Sequence, residues 1–181
     1  SYHGNSVAAL SVGASSTRDD LPSLLPGCIK IKGEPTKNKL SQVETALKGK
    51  EVAAFIMEPI QMNLAVQIPE KEFMSGVQKL CKKYGTLFIA DEVACGFGRT
   101  GKLFACEHYG LEPDIITVAK SLSGGYVPVA AVVARRSIYQ KTFSRLDRCV
   151  VHSSTFGRNN LAMACGLATL QVLEDEQLVD R

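Results

Sequence analysis

What the sequence lacks narrows its reading first. Its six cysteines, Cys28, Cys81, Cys95, Cys106, Cys149 and Cys165, form no CxxC pair and no Cys/His group at metal-ligand spacing. Neither a zinc site nor a disulfide framework is therefore readable, and reduced thiols in a cytoplasmic protein are the expectation. A surplus of one charge is also missing: 21 Lys and Arg against 18 Asp and Glu leave a formal +3 over 181 residues. That balance is too small and too evenly spread for a nucleic-acid or anionic-membrane footprint. No apolar run reaches membrane-spanning length, and there is no signal-peptide pattern, internal repeat or low-complexity linker. The chain opens at Ser1 without an initiator methionine and stops inside a helical pattern, so a piece of a larger polypeptide is expected.

What is present suits one globular unit: 45% of residues are hydrophobic and 22% charged, ordinary for a soluble domain. Residues 1–27, rich in Ser, Gly, Asp and Pro, predict loops and a short helix. CIKIKG alternates as a strand does. Between Lys39 and Leu47, apolar Leu40, Val43, Ala46 and Leu47 recur at helical spacing, with Gly49 placed to end the helix. VAAFIMEP is a nearly unbroken apolar run, the pattern of a strand buried on both faces. A helix from about Glu70 to Tyr84 carries Phe73, Val77, Leu80 and Cys81 as its apolar stripe, and Gly85 closes it. LFIADEV, DIITVAK and VPVAAVVA read as three more strands, with the helix-like KLFACEHYG among them. A short helix near Ser137–Phe143 and a final helix from Asn160 follow. Strand and helix in alternation predict an α/β fold with a largely parallel sheet.

In such sheets ligands bind at the carboxyl ends of the strands, and there this chain carries Asp91 and Lys120. A lysine at the end of a buried strand is paired, solvated or chemically used. As a Schiff-base nucleophile it needs partial desolvation to lower its pKa. On pattern alone a solvated strand-end lysine is the commoner outcome. Asp91 could hold a proton on a heteroaromatic ring nitrogen or simply cap the turn CGFGRTG that follows.

The surrounding motifs carry more than either residue alone. DEVACGFGRTGKLFACEHYGLEPDIITVAKSLSGGYVPVAAVV closely resembles the core of the class III pyridoxal-phosphate-dependent aminotransferases. YHG near the start, Glu58-Pro59, and HSSTFGRNNLA late in the chain extend the resemblance over nearly its whole length, in the family's order. The resemblance implies fold type I, a large-domain three-layer α/β/α sandwich with a mostly parallel sheet. Residues 1–181 would be the central part of the cofactor-binding large domain, with the N-terminal segment and the C-terminal small domain absent.

It further implies that Lys120 forms the Schiff base with pyridoxal 5′-phosphate and shuttles the substrate proton, while Asp91 pairs with the pyridinium nitrogen. Val93 would pack on one face of the ring, being two residues beyond Asp91 on the strand, and Tyr2 would stack on the other. Thr155 would reach the cofactor phosphate of a second subunit, which makes a homodimer with a shared active site the expected assembly. Glu58 would stand on the substrate side. Arg99 is expected to steady its turn or the subunit interface, and His3 to support backbone geometry.

The implied activity is transfer of an amino group between an amine or ω-amino acid and a 2-oxo acid. Aminomutase, racemase or decarboxylase chemistry on the same fold, or a catalytically silent scaffold, remain alternatives. No metal, nucleic acid or membrane is implied. Ala94 departs from the glutamine that many members carry to bind the cofactor's phenolic oxygen; an alanine cannot donate that bond. The loop Gln61-Met62-Asn63-Leu64-Ala65, glycine-rich in many relatives, is closer to an aminomutase-like branch. The upstream helix start that gives main-chain amides to the phosphate is missing too.

Overall fold

Four short strands form one sheet in the order β1-β2-β3-β4: β1 (Ala54–Met57), β2 (Leu87–Asp91), β3 (Ile115–Val118) and β4 (Ala131–Ala134). The computed structural model describes residues 1–14, 16–21, 23–63 and 65–181; Ser15 and Pro22 of the N-terminal loop region and Leu64 of the loop after Glu58-Pro59 lie outside the described residues. β1 and β2 pair in parallel, as do β2 and β3, whereas β4 returns antiparallel to β3. This is the α/β arrangement expected from the alternating pattern. α2 (Leu40–Leu47) and α3 (Lys71–Tyr84) cover one face.

The core lies between that helical pair and the sheet. Val43 and Leu47 of α2 and Phe73, Met74, Val77 and Cys81 of α3 pack on Met57, Phe88 and Ala90. Full burial of each of the larger side chains stabilises the fold by roughly 1.5–3 kcal/mol relative to exposure. The two helices approach closely because residue 76 is glycine: a Cβ there would meet the Leu40 side chain at 2.5 Å. α3 ends where expected, with Gly85 left-handed (φ 74°) and its N–H bonded to the Cys81 carbonyl. Side chains alternate along a strand, so Phe88 and Ala90 in the core leave Ile89 and Asp91 on the opposite face.

Several expectations shift in detail. CIKIKG forms no strand: it runs beside β1 across a cleft of about 210 Å³, without ladder bonds, and Ile29 is exposed. Its alternation matches a strand, but a strand exists only with a partner in register. α2 is followed by Lys50, not Gly49, in the left-handed region (φ 59°). KLFACEHYG contributes a 3-10 helix, Ala105–Tyr109. The N-terminal region holds α1 (Val7–Val12), with the Ser6 side chain accepting from the Ala9 amide. α4 (Arg136–Phe143) and α5 (Asn160–Asp175) complete the chain. Small residues let α5 pack closely: Ala162 and Gly166 are buried, and a Cβ on Gly166 would stand 3.6 Å from the Leu122 carbonyl of the turn Lys120–Ser123.

Candidate active site

The carboxyl ends of β1 and β2 are tied together by an extended N-terminal arm. Glu58, one residue past β1 and 3% exposed, accepts from the Tyr2 main-chain amide at 2.8 Å and, through its other oxygen, from the Met62 amide at 3.4 Å. The Glu58 amide in turn donates to the Ser1 hydroxyl at 3.2 Å. This clasp delivers His3 to Asp91, the last residue of β2. Nδ1 of His3 stands 2.6 Å from Oδ2 of Asp91, and both side chains are nearly inaccessible.

The other oxygen of Asp91, Oδ1, accepts from the Val93 amide at 3.0 Å. Burial works to raise this carboxyl. The bonds from His3 and Val93 and the nearness of the imidazole outweigh burial and hold it below the ordinary carboxylate range. The result is a fixed, dehydrated negative charge at a strand end. Because β2 ends at Asp91, Val93 stands in the turn that follows, folded back on the carboxylate, and not on the strand face.

Glu92, fully buried, faces away and has a separate task. Its two carboxylate oxygens accept from the Ala105 and Cys106 amides at 3.0 and 2.7 Å, capping the 3-10 helix as an acceptor at a helix start does. Burial pushes its carboxyl up, only partly offset by those amides. Burial also raises the thiols of Cys95 to about 11 and Cys106 to about 12, which keeps both as unreactive thiols.

Lys120 begins the 3-10 turn just beyond β3, the strand next to β2, and is exposed. Its backbone is left-handed, φ 47°, a conformation that costs a non-glycine residue roughly 1–2 kcal/mol and clusters at functional sites. Gly124 closes the turn with its N–H on the Ser121 carbonyl. Arg99, from the GFGRTG turn, points Nη2 at the Ser121 hydroxyl 3.5 Å away. Lys120, Arg99, Phe97 and Tyr126 line an open, largely apolar cleft of about 780 Å³, whose far wall is α5.

The structure thus brings Asp91, Val93, Tyr2 and Glu58 together and sets Lys120 at the end of the adjacent strand. Thr155 lies apart, exposed in the turn before α5. Two contributors were not assigned to this centre from the sequence. His3 was read as backbone support and is instead the direct partner of Asp91; the YHG motif held that signal. Thr117, in register with Asp91 across the β2–β3 ladder, has a buried hydroxyl with no hydrogen-bond partner, and only the register exposes it. Among the described residues no group of three or more His, Cys, Asp or Glu is arranged to hold a metal, and no helix is long and apolar enough to cross a membrane.

A mostly parallel α/β sheet with a buried aspartate and a lysine at the carboxyl ends of neighbouring strands has the layout at which proteins of this architecture bind ligands. The chain belongs to the class III aminotransferase family, whose model matches residues 1–181. It is similar to the ornithine aminotransferase of Toxoplasma gondii, at 35% identity and a TM-score of 0.87, with 99% of this chain and 41% of that one covered. It is also similar to an (S)-enantioselective omega-transaminase from Thermomicrobium roseum (33%, TM-score 0.89, 99% and 44% covered). An amine transaminase from an uncultivated Pseudomonas species, determined in its PLP-bound form, aligns at 29% identity and a TM-score of 0.90, with 99% and 45% covered. The chain therefore spans less than half the length of these structures.

Proposed function

We propose that this chain supplies the cofactor centre of a pyridoxal-phosphate-dependent aminotransferase, which moves an amino group between an amine or ω-amino acid and a 2-oxo acid. The observation that carries this reading is Asp91: a buried carboxylate, held anionic by His3 and the Val93 amide, one strand away from Lys120. A buried anion with both oxygens fixed fits the cationic ring nitrogen of pyridoxal phosphate, and Lys120 offers an amine to its aldehyde carbon. When bound, the cofactor supplies an electron sink for the carbanion next to nitrogen.

The protein's own groups position and exclude. Asp91 keeps the ring nitrogen protonated. Lys120, on its constrained turn, takes and returns the proton at the substrate carbon. Val93 and Tyr2 would flank the cofactor ring and shield it from water. Glu58 fixes the arm that bears Tyr2 and contributes on the substrate side. Thr155, exposed on its turn, serves the phosphate of a second subunit, so the working form is a homodimer. Free thiols at all six cysteines suit a reducing, cytoplasmic compartment.

The test uses protein expressed from the whole reading frame that contains this chain. Adding pyridoxal phosphate should produce a visible absorbance band, and a panel of amines with a 2-oxo acid should yield carbonyl product. Lys120→Ala should lose both. A band of equal strength in Lys120→Ala would overturn the lysine assignment, and an isomerised or decarboxylated product without net transamination would overturn the reaction.

A further inference from the structure

Thr117 lies on the sheet face opposite the helical core, its Cα paired with that of Asp91, and its carbonyl accepts the Glu92 amide at 2.9 Å. The backbone around the hydroxyl is therefore fixed. The hydroxyl itself is buried and makes no hydrogen bond of good geometry, although it stands close enough to the Asp91 carboxylate to help hold its pKa down, and Thr117 lines neither the 780 Å³ cleft nor the 210 Å³ one. A valine of the same shape would fill the position without leaving a polar atom unpaired, a burial that is costly in a protein interior. The neighbouring Asp91 carboxylate is within the hydroxyl's reach, and each of its oxygens has a further lone pair to offer.

We propose that Thr117 is a positioning residue for Asp91: on rotation about its Cα–Cβ bond, its hydroxyl donates a third hydrogen bond to the carboxylate that His3 and the Val93 amide already hold, locking it toward the ring nitrogen. Three donors on two oxygens leave the carboxylate a single orientation, and one remaining lone pair faces the ligand. Among the described residues the carboxylate's hydrogen bonds of good geometry come from His3 and the Val93 amide, and Thr117 is its partner in register on the neighbouring strand. The value of the bond for cofactor binding rests on the function proposed above; the bond itself does not.

The experiment separates the two. In protein from the whole reading frame, freed of cofactor and labelled with 13C, the Asp91 carboxyl carbon is titrated in the parent, Thr117→Val and Thr117→Ser. Losing one hydrogen bond to the carboxylate should raise its midpoint in Thr117→Val by about one pH unit, with Thr117→Ser remaining at the parent value. Thr117→Ala stands in should the valine variant not fold. An unchanged midpoint in the hydroxyl-free variant, or a serine variant that titrates with it, overturns the proposal. In protein from the whole reading frame, the dissociation constant for pyridoxal phosphate should rise about tenfold in Thr117→Val and not in Thr117→Ser. A moved midpoint with unmoved affinity overturns the positioning role. A parent that binds no cofactor overturns the function instead, and the titration still decides the bond.

Discussion

Asp91 is the residue on which the site's electrostatics turn. Its folded-state pKa is depressed, so the stability it contributes is present above the ordinary aspartate value and is lost as pH falls through the lowered one. Asp91→Asn removes a charge-assisted bond to His3 and should cost about 2 kcal/mol at neutral pH. Urea unfolding across the acid range should show that difference shrinking to nothing; a difference independent of pH would mean that the carboxylate's charge is not what His3 recognises. Asp91 and Lys120 were legible because a charge closing an apolar run stands out at once in a linear pattern. His3 and Thr117 were not, since one acts across 88 positions of sequence and the other through strand register, and neither separation leaves a periodic trace.

Elements show the same division. α3 was readable to its last residue: apolar spacing set its buried face, and Gly85 supplied the only side-chain-free way into the left-handed cap. CIKIKG was misread because alternation describes what a strand would look like without saying that a neighbour exists to pair with it. The loop after Glu58-Pro59 carries a local conflict of the opposite kind. Gln61 and Gln67 bridge antiparallel, and between them Ala65 (φ 54°) and Val66 (φ 58°) both sit in the left-handed region, which is hardest on a β-branched residue. Replacing Val66 by glycine should relieve strain and stabilise the chain by about 1 kcal/mol, with Ala65→Gly giving less. Thermal unfolding measures it; a destabilised Val66→Gly would show that side-chain contacts, not backbone strain, govern the loop.

For the molecule as a whole, burial is uneven. α2 and α3 seal one sheet face, whereas β4 exposes Val132 and Val133, and the region from Leu146 onward exposes Val150, Phe156 (83%), Leu161 and Leu167 (69%). Exposed apolar side chains in such number are characteristic of a surface that is covered in an assembly. In protein from the whole reading frame, sedimentation should give twice the single-chain mass, and Leu167→Glu should shift the population toward the single chain. A monomer in the parent would remove the second subunit that Thr155 is proposed to serve.

The clasp between Glu58 and residue 2 has a bearing on how such a site can diversify. Glu58 grips the main-chain amide of Tyr2 and not its side chain, and any residue other than proline presents that same amide. The arm that brings His3 to Asp91 is thus held by a handle common to nearly all amino acids. The Tyr2 ring can be exchanged for another side chain without releasing the latch, so the surface proposed to meet the ligand is free to be tuned separately from the bond that keeps the charge in place.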